Sequence, residues 1–207
     1  MKIVMIAGKQ GSGKTTTANE LAKNLVNFNH FVNHVKFADV IYEMHDSCLR
    51  ILKGLGVETK KKEGKLLQLL GTDFGRNELG DDIWIRCLKA KIEKIKASYP
   101  PSQQDKLVII IDDLRFENEF DAFPEALRVI LNCPETIRMQ RCSSWRTDIN
   151  HPSETGLDQY ASDAYKFDKT YKSNMMSTLE ISHLIAAQLD KNNWIEKRLP
   201  TAVELSQ

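Results

Sequence analysis

An apolar run, KIVMIA (Lys2–Ala7), stops abruptly at AGKQGSGKTT, residues 7–16, which crowds three glycines and two lysines together. Beyond it Ala18, Leu21, Ala22 and Leu25 recur at i, i+3, i+4 and i+7, the spacing of one buried stripe on a helix. Strand, glycine loop, helix is the opening of a βα unit, and few folds begin that way.

Gly8, Gly13, Lys14 and Thr15 occupy every fixed position of the pattern G-x-x-x-x-G-K-[ST]. A chain of phosphates carries more negative charge than one side chain can surround. Backbone N–H groups can surround it when the loop curls into a nest, and glycine reaches the torsions this requires. The helix start adds its partial positive charge. Gly8, Gly11, Ser12, Gly13, Lys14, Thr15 and Thr16 are therefore the expected ATP-binding residues. Lys14 is expected on the β- and γ-phosphates and Thr15 on Mg²⁺.

The rest of the chain continues the alternation. His34–Phe37 reads as a short strand, followed by a helix from Asp39 to about Leu52. KGLGVETKKKEGK is polar and reads as an exposed connection, its lysines solvated. LLQLLGTDFGRN starts helical and is loosened by Gly71 and Gly75. Ile83–Lys96 shows Trp84, Leu88, Ile92 and Ile95 on one helical face. Lys106–Asp113 holds five consecutive apolar residues, as a strand buried on both faces does. Leu127–Asn132 reads as a further strand, Pro134 opens a helix through Arg141, and FDKTYKSN holds a last short strand. Ser177 and Glu180 form a capping box before an amphipathic helix. The expected fold class is α/β, with a mostly parallel sheet and ligands at its carboxyl edge.

Composition excludes little but narrows the partners. Of 207 residues, 42% are apolar and 28% charged, and the net charge of +1 asks for no nucleic-acid polymer and no acidic membrane. No run approaches the roughly 20 apolar residues of a membrane span. Cys48, Cys87, Cys133 and Cys142 form no C-x-x-C pair, which fits reduced thiols in a cytoplasmic protein.

Two further stretches carry chemistry. IIIDDLRFENE places Asp112 and Asp113 at the end of a buried strand on the ligand edge, with Arg115 close behind. A carboxylate there can hold Mg²⁺ through water, and an arginine can grip phosphate through two parallel bonds. Successive strand residues point opposite ways, so either aspartate can be the metal-facing one. PETIRMQRCSSWRTDINHPSETGLD brings Arg138, Arg141 and Arg146 within nine positions, as a segment closing over a transferring phosphate would. A guanine-reading N-K-x-D is absent, which argues against a GTPase switch.

GKQGSGKTT, FAD (37–39), LLQLLGTDFGRN with DIWI, DDLRFENE and HPSETGLD occur in one order from residue 8 to about 158. In these segments the chain resembles the deoxynucleoside monophosphate kinases of bacteriophages, a branch of the P-loop nucleoside monophosphate (NMP) kinases. The resemblance implies a single P-loop domain over 1–207, a three-layer sandwich with a parallel sheet of about five strands. Its core would be 1–37, 101–134 and 166–190, with an NMP-binding insertion at about 38–100, a lid at about 135–160 and a tail over 191–207. It implies transfer of the ATP γ-phosphoryl to the 5′-phosphate of a deoxynucleoside monophosphate, with ATP and Mg²⁺ and small-molecule substrates. The setting would be cytoplasmic, that of the host for a phage-encoded member; a homodimer is allowed but not called for.

By the same resemblance Asp113, Arg115, Glu119, Gln68, Thr72, Asp73, Arg76, His151 and Glu154 fall on the catalytic and acceptor-site motifs. Phe37, Phe74 and Trp84 are candidate walls for the base, with the core as the favoured alternative for each. Lys14, Asp113, Arg115, Arg138 and Arg141 are the expected catalytic set, and Thr15, Asp112 and Asp113 the expected metal set. Tyr42 stands where the family carries a lysine, and SNMMSTLE lacks the family's glycine. An acceptor phosphate has a second pKa of about 6 and is already ionised, so no general base is expected. The alternatives are a P-loop kinase for another small acceptor, or a nucleotide-binding switch or ATPase subunit.

Overall fold

The computed structural model describes residues 1–142, 145, 155–162 and 166–191. Five strands form one parallel sheet: β1 Lys2–Ala7, β2 Phe31–Val35, β3 Leu107–Leu114, β4 Leu127–Asn132 and β5 Lys169–Lys172, in the order β2-β3-β1-β4-β5. The helices are α1 Lys14–Asn27, α2 Asp39–Gly54, α3 Gly64–Gln68, α4 Ile83–Ala97, α5 Pro101–Gln104, α6 Glu117–Asp121, α7 Glu135–Arg141, α8 Asp158–Ser162 and α9 Thr178–Lys191.

The pleat sorts the core into two halves. Ile3, Met5 and Ala7 of β1 face a cluster completed by Leu88 and Ile92 of α4, Phe120 of α6 and Leu157. Val4 and Ile6 face the other, completed by Leu21 and Leu25 of α1 and Ile181 and Ile185 of α9. That is a three-layer sandwich, each buried Leu or Ile contributing about 1.5–3 kcal/mol. The capping box forms as expected: the Glu180 N–H donates to Ser177 Oγ at 3.2 Å, and the Ser177 N–H donates to Glu180 at 2.8 Å.

Two elements differ from expectation. The second strand is Phe31–Val35, pairing with Leu107–Ile111, and not His34–Phe37. It leaves the sheet early because the N–H groups of Phe37 and Ala38 donate to Asp113 instead, at 2.9 and 3.0 Å. The stretch expected to loosen at Gly71 and Gly75 is a continuous π-helical turn set, Leu69–Glu78. Its glycines are contact points. The Trp84 indole lies where a Gly75 side chain would begin, and its Nε1–H donates to the Gly71 carbonyl at 2.8 Å.

A bulge marks the edge that matters. Met5 pairs with Ile111 and Ala7 with Leu114, so Ile6 alone faces both Asp112 and Asp113. The extra residue lets β3 re-aim two consecutive carboxylates at its carboxyl end. Beside it, the chain leaves β1 between neighbours reached in opposite directions, β3 on one side and β4 on the other. Ligands of parallel sheets bind at such a switch point.

Candidate functional site

The loop between β1 and α1 curls through left-handed glycines: Gly11 has φ +76° and Gly13 φ +95°. A Cβ on Gly11 would sit 2.6 Å from the Arg138 carbonyl oxygen, so this position is closed to side chains by space as well as torsion. Lys14 is buried and folds back, donating to the carbonyls of Gly8 at 2.5 Å and Lys9 at 3.0 Å. The loop is braced from behind. Ser173 Oγ donates to the Ser12 carbonyl at 2.7 Å, and the Arg138 guanidinium donates to the Gln10 carbonyl at 2.9 Å.

Thr15 and Thr16 are exposed at the start of α1. The Thr15 hydroxyl donates to Asp112 Oδ2 at 2.6 Å. The Asp112 side chain is itself fully buried, with His34 Nε2 at 2.9 Å and Lys36 Nζ at 3.4 Å from its other oxygen. Burial would raise its pKa, but the hydrogen bonds of His34 and Thr15, with the charges of His34 and Lys36, outweigh that and hold it at about 2. A carboxylate held ionised at neutral pH and touching the loop threonine fits a divalent cation. Among the described residues no group of three or more His, Cys, Asp or Glu could cage a metal. Mg²⁺ is commonly held through one or two carboxylates, with water and phosphate oxygens completing its shell, and Asp112 with Thr15 offers such a foothold.

Asp113 has another occupation. Both its oxygens accept the backbone N–H groups of Phe37 and Ala38, at the root of α2, and neither of these bonds involves Thr15. Burial, with the charge of Asp112, pushes its pKa up to about 6 against those two bonds. Of the two aspartates left open for the metal, Asp112 faces the loop, and Asp113 pins the 37–38 backbone and so stands away from Thr15.

Arg115 borders a cleft of about 510 Å³ with Gly8, Lys9, Leu131 and Arg138. Its backbone N–H, and that of Phe116, donate to Glu119 at 2.9 and 3.2 Å, while the Arg76 guanidinium donates to the other Glu119 oxygen at 2.9 Å. Arg76 also lies 3.8 Å over the Phe116 ring. Burial and the charge of Asp113 push Glu119 up to about 7, against the bonds from Arg115 and Phe116 and the charge of Arg76. Gln68, Thr72 and Asp73 are exposed on α3 and the π-helical segment that carries Arg76.

Other expected residues lie elsewhere. Phe37 and Trp84 are 3% exposed, Phe37 facing Phe123 at 6.4 Å and Trp84 seated on Gly75; both are core side chains and not walls for a base. Arg138 is buried, its Nε–H donating to the Cys133 carbonyl, and Arg141 donates to the Ser173 carbonyl at 3.0 Å. Both are moored to the core, unlike side chains on a free-swinging lid. His151 and Glu154, with Arg146, lie outside the described residues. The sequence did not single out His34 and Lys36. Their signal was alternation: two residues apart at a strand end, they share a face, and that face meets Asp112.

An AAA domain family matches residues 4–151, which include the nucleotide loop, the bulged strand end and α7. The chain belongs to the AAA domain family. With the five-stranded parallel sheet, this gives the protein a P-loop kinase-like α/β fold. Among curated relatives, the signal recognition particle 54 kDa protein of Pyrobaculum neutrophilum is 30% identical over 118 residues, 53% of this chain and 27% of that one. The deoxynucleoside-5′-monophosphate kinase of Escherichia phage T5 is 29% identical over 93 residues, 45% of this chain and 34% of that one. The matched regions span about a third or less of those relatives. A shikimate kinase from Acinetobacter baumannii in complex with shikimate superposes with a TM-score of 0.49 at 13% identity, over 93% of this chain and 94% of that one. Among the described residues of this AAA domain no helix is long and apolar enough to cross a membrane.

Proposed function

We propose that the protein is a deoxynucleoside monophosphate kinase, moving the γ-phosphoryl of ATP to the 5′-phosphate of a deoxynucleoside monophosphate. The observation that carries this is the pairing of Thr15 with the ionised, buried Asp112 at the mouth of the glycine loop, with Arg115 and Arg138 bordering the cleft that opens beside Gly8. The likeness to the phage T5 kinase supports the choice of acceptor class.

In this reading the loop N–H groups and Lys14 hold the donor phosphates. Thr15 and Asp112 would hold Mg²⁺, which would neutralise charge developing on the phosphates. Arg115 takes the acceptor phosphate, and Glu119 fixes the backbone from which Arg115 projects while orienting Arg76. Gln68, Thr72 and Asp73 would meet the acceptor nucleoside, with His151 and Glu154 following the lid at about 135–160. The insertion would be the 38–100 segment. Because the acceptor oxygen is already ionised, the residues need only align two anions and screen their repulsion.

Incubation of the purified chain with ATP, Mg²⁺ and each of the four deoxynucleoside monophosphates tests this. Formation of a deoxynucleoside diphosphate with ADP is expected for at least one acceptor. Free phosphate alone would favour a nucleotide-hydrolysing switch, the reading that the 118-residue likeness to the signal recognition particle protein keeps in view. No turnover of any deoxynucleotide, with transfer to another small acceptor, would leave a P-loop kinase of different specificity.

A further inference from the structure

Asp112 is held by more positive charge than a metal ligand needs. Its Oδ2 accepts from Thr15, while His34 and Lys36 crowd Oδ1. His34 Nε2 lies 2.9 Å from Oδ1 and is the closer of the two partners. With Thr15 and His34 already on the carboxylate, Lys36 acts on it by charge. Lys36 Nζ stands 3.4 Å from the same oxygen, longer than a strong charge-assisted bond, and its side chain is 32% exposed. An ammonium on a four-carbon stem, near but not locked to its partner, is free to change partners.

We propose that Lys36 is a catalytic cation handed over by the metal: it neutralises Asp112 while the site is empty, and moves onto the transferring phosphoryl group when the metal–nucleotide complex binds. This rests on the kinase reading above. A divalent cation held by Thr15 and Asp112 would supply the charge that Asp112 needs, and Lys36 would then be released from it. Phosphate bound with that cation would offer the freed Lys36 an acceptor for its three donors beside the carboxylate it leaves. The transfer then gains a positive charge as negative charge spreads over the phosphoryl oxygens.

The two halves of the proposal have opposite signs in one variant. Lys36 competes with the metal, so Lys36→Met should tighten binding of Mn²⁺ with ADP, which brings no γ-phosphoryl for Lys36 to move onto, by about tenfold, the order for removing one like charge near a divalent ion at a partly exposed site. It should also lower kcat by about a hundredfold, the scale of one lost charge-stabilising donor. Lys36→Arg should stay near wild type in both, and Lys36→Gln provides a second neutral variant. Titration calorimetry of the full chain reads the first quantity and steady-state phosphoryl transfer the second. Weaker metal–nucleotide binding in Lys36→Met would make Lys36 a brace for Asp112 and overturn the proposal. Tighter or unchanged binding with unchanged kcat would overturn it too, because Lys36 would then never reach the phosphoryl group. Failure of the wild type to bind Mn²⁺–ADP, visible before any variant is made, would sink the kinase reading itself and this role with it.

Discussion

Replacing Glu119 by Gln separates the electrostatics of the acceptor side from its geometry. Glu119 is 2% exposed, and its pKa is pushed from the ordinary 4.5 to about 7 by burial and by the charge of Asp113. Between those two values the folded chain keeps a proton that the unfolded chain has released. Bound protons are then fewer in the unfolded state, so stability falls as pH rises from about 4.5 to about 7, and is level above. At about 1.4 kcal/mol per unit the loss is about 3 kcal/mol. Glutamine mimics the protonated form and keeps a carbonyl oxygen for the N–H groups of Arg115 and Phe116. Urea denaturation of both proteins at half-unit steps from pH 4.5 to 8.5 should show the stability difference drifting by about 3 kcal/mol in favour of the variant as pH rises. Asp113, raised to about 6, contributes its own slope to both proteins and cancels in the difference. Parallel profiles would refute the claim that Glu119 is held protonated above its ordinary range. Activity above pH 7, where Glu119 is ionised, should respond in the other direction: with Arg76 deprived of that charge, KM for the acceptor should rise while KM for ATP stays within about twofold.

Lys14→Met should cut phosphoryl transfer by about a hundredfold or more while a thermal melt stays within a few degrees, since the methionine keeps the buried stem; near-normal turnover would remove Lys14 from the chemistry. Gly75→Ala drives a methyl group into the Trp84 indole and should cost about 2 kcal/mol in chemical denaturation, with little effect if the π-helical segment can shift. Ser177→Ala removes the hydroxyl that accepts the Glu180 N–H and should cost about 1 kcal/mol in chemical denaturation, leaving kcat unchanged.

The nucleotide loop was legible because its signal is local: glycine spacing, the strand before and the helix after all lie within thirty residues. The division between Asp112 and Asp113 was not, because it depends on a bulge that exists only through pairing with β1. Phe37 and Trp84 look alike as core residues and as base walls until their neighbours are known, and here Phe123 and Gly75 decide it. The glycines at 71 and 75 were read as weakness when they are sockets for Ile41 and Trp84. Arg138 and Arg141 carried the right charge for a lid, but their carbonyl partners, Gln10 and Ser173, come from distant parts of the chain that no periodicity links.

The extra residue in β3 also ties two parts of the site together. Asp113 holds the root of α2 and Asp112 touches the nucleotide loop, and a single peptide unit joins them. The backbone at 37–38 and the first turn of α1 therefore hang from adjacent residues of one strand end, with one amide between them.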